Sequence, residues 1–244
     1  MLTMPWLKSI LLKEPPGIDG KHMLTLRSQI KAWRKACRRM NWNIADREWD
    51  SLGALTPPAL TEDDRIQGYV ETVLFYGFGD GEADCSDAVL SGKMAWEYAC
   101  RSRERKTWQC EYVDFNKPED IRLRPGAPGR PKGFYFAKIQ LGARFQEMTV
   151  NQLRKSLEGD TGLGPEGFQL LGITHTHLAD WMTDRKLPFM ALADYDVAPY
   201  GYNDFYDAPQ LFCSNNILGL GIGNVDQNYP LFGIPTLRFV SSPG

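Results

Sequence analysis

The chain has 244 residues, of which 43% are apolar and 12% aromatic, and 28 Lys and Arg are set against 30 Asp and Glu. These values are typical of a globular protein and exclude a disordered chain. Five cysteines without a CxxC pair predict reduced thiols and a cytoplasmic location. No apolar run approaches the roughly 18 residues of a membrane-spanning helix, so we expect no span.

Charge is distributed unevenly along the chain. Residues 1–155 hold 25 of the 28 Lys and Arg but 20 of the 30 acids, a net charge of +5, whereas the remainder holds 3 and 10, a net charge of −7. The two parts are therefore expected to contact different partners, or each other.

The first strong periodic pattern predicts a helix over residues 24–41. Its apolar residues recur at steps of four and three, from Leu26 to Met40, and Thr25 is a suitable N-cap. The opposite face carries the candidate nucleic-acid contacts Arg27, Lys31, Arg34, Lys35 and Arg38. Such a face can contact phosphates, dock on the acidic part of the chain, or simply be solvated.

Further helices are predicted over 62–76 and 86–104, followed by a strand over 107–115. The segment that follows is rich in Pro, Gly and basic residues, which marks a boundary. The sequence therefore predicts a basic, mainly helical region (1–122), a Pro/Gly linker (123–133) and an acidic β-rich α+β domain (134–244).

The acidic domain combines strands with one long helix. A strand is predicted over 133–142 and a short helix over 148–157, and the steps of three and four from Phe168 to Met182 predict the long helix. Later strands are predicted over the segments 187–196, 210–215, 217–224 and 234–241. The fold class is thus α+β, with a helical N-terminal part packed with or followed by a β-rich C-terminal part.

Acidic and aromatic residues gather in two loops, 194–209 and 224–230. Carboxylates interleaved with tyrosines are typical of a recognition loop, although a packed loop has the same composition. The candidate ligand-binding residues are Asp194, Asp196, Tyr200, Tyr202, Asp204, Tyr206 and Asp226.

His175 and His177 are the one closely spaced histidine pair. On a strand, alternate residues point to the same side and can share a metal ion, but on a helix these two would diverge. The predicted helix therefore favours a hydrogen-bonded core position for His175. Metal binding by the pair remains the alternative, and no cofactor is predicted.

Gly219, Gly221 and Gly223 resemble part of a nucleotide-binding glycine loop. Only 21 residues follow them, and these predict strands and turns, so no helix is available to receive a pyrophosphate. The segment is therefore predicted to be a strand.

The order of elements from about residue 134 to 240 resembles small C-terminal modules of uncharacterised bacterial proteins. The similar pieces are the helix from Glu166 to Trp181, the segments LPFMALADYD, PQLFCSN and ILGLGIGN, and the closing LRF. The resemblance implies an α+β fold and a bacterial or phage origin, and it implies no activity.

Three functions are consistent with the sequence. The first is a non-enzymatic binding or assembly protein that contacts another protein or a second copy through the acidic loops. The second is a metal-dependent hydrolase that uses His175, His177, Asp194 and Asp196. The third is a nucleic-acid accessory protein that binds through helix 24–41.

Overall fold

The structure is a computed structural model that describes residues 24–53, 55–79, 85–104, 106–117, 120–157, 159–199 and 204–240. Within these ranges it confirms the α+β class. The α-helices are α1 (Leu26–Met40), α2 (Asp46–Gly53), α3 (Glu62–Ile66), α4 (Cys85–Ser102), α5 (Val150–Ser156), α6 (Pro165–Gln169) and α7 (Leu178–Thr183). The strands are β1 (Glu71–Gly77), β2 (Thr107–Gln109), β3 (Ile121–Leu123), β4 (Gly133–Gln140), β5 (Thr161–Gly162), β6 (Phe189–Ala191), β7 (Tyr195–Val197), β8 (Asp207–Ser214), β9 (Ile217–Asn224), β10 (Phe232–Gly233) and β11 (Thr236–Phe239).

The strands form two sheets. The first sheet has the order β1-β4-β11-β5, and all its pairings are antiparallel. In the second sheet β8 is central: it pairs with β9, which continues to β2, and with β6, which continues to β10. Strands β7 and β3 extend this sheet from β8. Residues 123–133, the predicted linker, connect β3 in the second sheet to β4 in the first.

One main hydrophobic core joins the predicted basic and acidic regions. It contains Trp33 of α1, Phe75 of β1, Phe168 of α6, Leu211 of β8 and Leu237 of β11. Strands from both regions also pair within each sheet, as β1 does with β4 and β2 with β9. The helical part is therefore packed with the β-rich part rather than merely followed by it.

Helix α1 confirms the prediction for residues 24–41. The side chain of Thr25 accepts a hydrogen bond from the Ser28 amide, and Asn41 ends the helix in the left-handed conformation. The indole of Trp33 is fully buried and donates to the carbonyl of Leu74 at 3.1 Å. This contact anchors the apolar side of α1 on β1.

The helix predicted over 62–76 is wrong in its second half. Helix α3 ends at Ile66, Gly68 adopts a positive φ of 85°, and Glu71–Gly77 form β1. All seven residues of β1 are buried. Because β1 is covered on both faces, its stretch from Val73 to Tyr76 is apolar without the alternation that identifies a half-exposed strand, so periodicity could not distinguish it from a buried helix.

The long helix predicted around Phe168 to Met182 is three short segments: α6, a π-helical turn at Leu170–Thr174, and α7. His175 leaves helical geometry at φ −114° and ψ 50°. Gly172, in the π turn, faces α4 so closely that a Cβ there would lie 3.1 Å from the carbonyl oxygen of Ala95. The wider π turn accommodates this close packing.

Other boundaries differ by shorter amounts. The strand predicted over 107–115 is limited to β2, and the strand predicted over 187–196 is divided into β6 and β7. The helix α5, with Thr149 in a capping box, agrees with the helix predicted over 148–157. Helix α2 was not predicted.

Candidate functional site

The basic face of α1 is defined by five side chains that lie within about 100° of helix circumference and about 17 Å of helix length. They are Arg27, Lys31, Arg34, Lys35 and Arg38, and all five are exposed. The opposite side of the helix buries Gln29, Trp33, Ala36 and Cys37. The amphipathic pattern of the sequence therefore points the cations away from the core.

Contacts within the helix and with α2 position part of this face. The Arg34 guanidinium lies 5.3 Å from the centre of the Trp49 ring, and Arg38 donates through Nε to the Arg34 carbonyl at 3.3 Å. Among the residues that the structure describes, no carboxylate forms an ion pair with any cation of the basic face. Within the described part of the chain, the face is therefore exposed and carries five positive charges.

The basic surface continues beyond α1. Arg39 donates to the carbonyl of Arg101, at the C-terminal end of α4, at 2.5 Å. Helix α4 leads through the exposed Lys106 into β2. The C-terminal end of α4 therefore contacts α1 and leads to β2, an edge strand of the second sheet.

The predicted acidic ligand site is divided between the interior and the surface. Asp194 is fully buried, where it accepts hydrogen bonds from Arg130 at 3.0 Å and Arg124 at 3.2 Å and a short one from Thr161. Asp196 is also buried, 2.8 Å from Arg154. These two carboxylates are occupied by arginines of the same chain.

The remaining acidic-loop candidates lie elsewhere. Asp204, Tyr206 and Asp226 are exposed, and Asp226 accepts a hydrogen bond from the Asn151 amide at 2.8 Å. Tyr200 and Tyr202 lie outside the described residues. A protein contact through the exposed part of these loops stays a prediction.

Arg130 is the centre of a buried charge network. Its guanidinium lies 2.9 Å from Glu166 and 3.0 Å from Asp194, and it also donates to the carbonyls of Gly162 and Pro128. Burial opposes its charge, but the two carboxylates outweigh burial and raise the pKa of Arg130 above its ordinary value. The network ties the 123–133 segment to α6 and to the turn before β7.

The phenol of Tyr135 closes this network. It donates to Glu166 at 2.8 Å, and burial followed by the Glu166 charge holds the pKa of Tyr135 well above its ordinary value. Every charged group here has an internal partner, and removing Arg130 would leave the buried Glu166 carboxylate without a cation among the described ion pairs.

The two histidines have different surroundings. His175 is fully buried, with Nε2 2.8 Å from Glu71 and Nδ1 2.9 Å from the Thr174 hydroxyl. The Gln29 amide donates to the other oxygen of Glu71 at 3.0 Å. This confirms the predicted hydrogen-bonded core position of His175.

The arrangement does not favour a shared metal at the predicted residues. His177 is half-buried, and its ring centre lies 5.8 Å from that of His175. His175 is held by Glu71, whereas Asp194 is held by arginines. Within the described ranges, no group of three or more His, Cys, Asp and Glu is placed to hold a metal ion.

A row of aromatic side chains crosses the outer face of the second sheet, and sequence reasoning missed it. We call Trp108 (β2), Phe212 (β8), Phe189 (β6) and Phe232 (β10) the aromatic row. Successive ring centres lie 5.9, 5.8 and 5.2 Å apart. The strand register explains the alignment, since Trp108 and Phe212 both pair with Gly219, and Phe189 pairs with Phe232.

Gly219 makes this row continuous. A Cβ at Gly219 would lie 2.2 Å from Phe212 Cζ, so only glycine lets the Phe212 ring lie across β9 towards Trp108. The alternation of glycines in 217–224 was the available signal, because a strand that is bare on one face leaves space for neighbouring side chains.

A shallow depression of about 330 Å³ lies at the C-terminal end of α4. Its lining residues are Ser102, Arg103, Glu104, Lys106, Asp180 and Asn216. Two cations and two acids balance one another there, and none of the predicted site residues lines it.

Comparisons with known proteins add no assignment: no protein-family model, curated protein or solved structure matches the chain. Within the described ranges, no helix is both long and apolar enough to cross a membrane.

Proposed function

We propose that this protein is a non-enzymatic binding protein whose basic face of α1 contacts the phosphates of a nucleic acid. The observation that carries the proposal is the set of five exposed cations on one side of a single helix, without internal acidic partners among the described residues. Each cation that neutralises a phosphate releases condensed counterions, and this release drives binding.

The composition of the face suits phosphate better than an isolated carboxylate. Three of its members, Arg27, Arg34 and Arg38, are arginines, whose planar guanidinium matches two phosphate oxygens at once. The five cations extend over about 17 Å of one helix, which covers several successive phosphates. A linear polyanion meets such a row along its length.

The predicted acidic surface exposes fewer carboxylates than the sequence analysis expected. Two of its carboxylates, Asp194 and Asp196, are neutralised inside the protein. By contrast, the burial of Trp33 and Cys37 leaves every cation of the basic face in solvent. Geometry therefore supports the basic face as the contact surface.

Charge reversal tests the proposal. The triple variant Arg34→Glu, Lys35→Glu, Arg38→Glu is compared with the wild type by fluorescence anisotropy, with labelled oligonucleotides of about 20 nucleotides at about 50 mM salt. We expect at least roughly a tenfold loss of affinity, because three phosphate contacts are replaced by repulsion.

A matched control reverses the same number of exposed cations elsewhere: Arg65→Glu, Lys132→Glu, Lys155→Glu. Its net charge equals that of the test variant, so retained binding in the control assigns the loss to α1. Equal weakening of both variants, or no binding by the wild type, would refute the proposal. Binding of an acidic polypeptide in place of any oligonucleotide would assign the face to a protein partner.

A further inference from the structure

The aromatic row lies on a face that is only half covered. Helix α5 packs over one end of the outer face, where it forms a small separate core with Ala191 of β6 and Ala208 of β8. Among the described residues, the small core contains no member of the aromatic row. Trp108 is 51% exposed, and its neighbour Ile217 is 43% exposed.

The row has the dimensions of an extended ligand. It crosses five strands, β2-β9-β8-β6-β10, and the separations of successive ring centres limit its length to about 17 Å at most. Neighbouring rings are tilted by 46° to 63°, so they form a stepped surface and not one flat plane. Separate flat groups can each stack on one step.

Cations adjoin the row at its Trp108 end. Lys106 is exposed and lies two residues before Trp108, and Arg101 is contacted by Arg39 from α1. The opposite face of the same strands is sealed into the main core by Leu211, so the sheet is a rigid support. Flat rings close to the exposed Lys106 fit a ligand that carries both flat groups and negative charges.

We propose that the aromatic row stacks the unpaired bases of a single-stranded nucleic acid. This inference rests on the proposed function and narrows its substrate class. Duplex bases are stacked on each other and cannot lie on protein rings, whereas single-strand bases can. Stacking tolerates all bases, so the binding requires no particular sequence.

The experiment compares two probes of about 20 units: an oligothymidylate and an abasic deoxyribose phosphate of the same length. The probes share their phosphates and differ in their bases. We expect the wild type to prefer the thymidylate by roughly tenfold or more, since stacking on one aromatic side chain contributes about that factor. Trp108→Ala should remove most of this preference and leave binding of the abasic probe unchanged.

The matched control is Ile66→Ala, which truncates an equally exposed apolar side chain on α3. It should change neither affinity. As a variant with conserved aromatic character, Trp108→Phe should retain part of the preference and should reduce the quenching of tryptophan fluorescence by the thymidylate.

The outcomes separate this inference from the proposed function. Equal binding of both probes by the wild type, or an unchanged preference in Trp108→Ala, overturns the stacking role while the charge-reversal result stands. Absence of binding to either probe overturns both. Self-association of the free protein that is lost in Trp108→Ala would assign the row to a second copy and would also overturn the inference.

Discussion

The buried guanidinium of Arg130 offers a direct test of what holds the structure together. Replacing it with Met keeps much of the side-chain volume but removes the positive charge from between Glu166 and Asp194, both of which are fully buried. Asp194 retains Arg124 and Thr161 as partners. Glu166 retains hydrogen bonds but no cation among the described ion pairs.

The expected loss follows from that difference. Removing one partner of a buried ion pair lowers the free energy of unfolding by about 3–5 kcal/mol. We count this loss once, for Glu166, because Asp194 remains paired. Since whole domains are stable by about 5–15 kcal/mol, Arg130→Met should lose at least about a fifth of the total.

Urea denaturation followed by circular dichroism measures these values. The double variant Arg130→Met, Glu166→Gln should recover part of the loss, because no buried charge then lacks a cation. Arg65→Met, at an exposed site, should change stability by no more than about 0.5 kcal/mol. A free energy of unfolding for Arg130→Met within about 1 kcal/mol of the wild type at pH 8 would refute the assignment.

Two other predictions concern single sites. Gly219→Ala should destabilise the protein by about 1–3 kcal/mol and change its near-ultraviolet circular dichroism, because the new Cβ displaces the Phe212 ring. The control Gly221→Ala, whose Cβ would lie 3.4 Å from the same ring, should have little effect. Equal effects of the two substitutions would contradict this interpretation. Although burial alone would raise it, hydrogen bonds from Lys138 and Thr61 lower the pKa of Asp64 from 3.8 to about 2. The lowered pKa stabilises the folded protein by on the order of 1–2 kcal/mol above pH 3.8, and this stabilisation is lost as the pH falls through about 2. The free energy of unfolding should therefore fall more for the wild type than for Asp64→Asn as the solution is acidified. Parallel plots of unfolding free energy against pH for the two proteins would contradict this prediction.

Local signals predicted the elements that are amphipathic. Helix α1 has one buried and one charged side, so its limits, its Thr25 cap and its exposed cations followed from periodicity. Strand β1 did not, because tertiary packing covers both of its faces. The helix predicted around Phe168 was divided by close packing of Gly172 on α4, which no local pattern encodes.

The candidate sites likewise depend on tertiary contacts that local sequence patterns do not encode. Asp194 and Asp196 were predicted to be ligand contacts from their position after a strand. The arginines that neutralise them are distant in sequence: Arg124 and Arg130 pair with Asp194, and Arg154 pairs with Asp196. The aromatic row likewise draws one ring from each of four strands. Its members become neighbours only through the pairing register of β2, β9, β8, β6 and β10.

The salt dependence of binding to a single-stranded oligonucleotide tests the proposed function most directly. If three to five cations of α1 each contact a phosphate, the logarithm of the association constant should fall linearly with the logarithm of salt concentration, with a slope of about −2 to −3.5. The variant Arg34→Glu, Lys35→Glu, Arg38→Glu should show a slope that is smaller in magnitude by about 2, since three phosphate contacts are lost. A flat salt dependence in the wild type, or an unchanged slope in the variant, would contradict phosphate recognition by this helix.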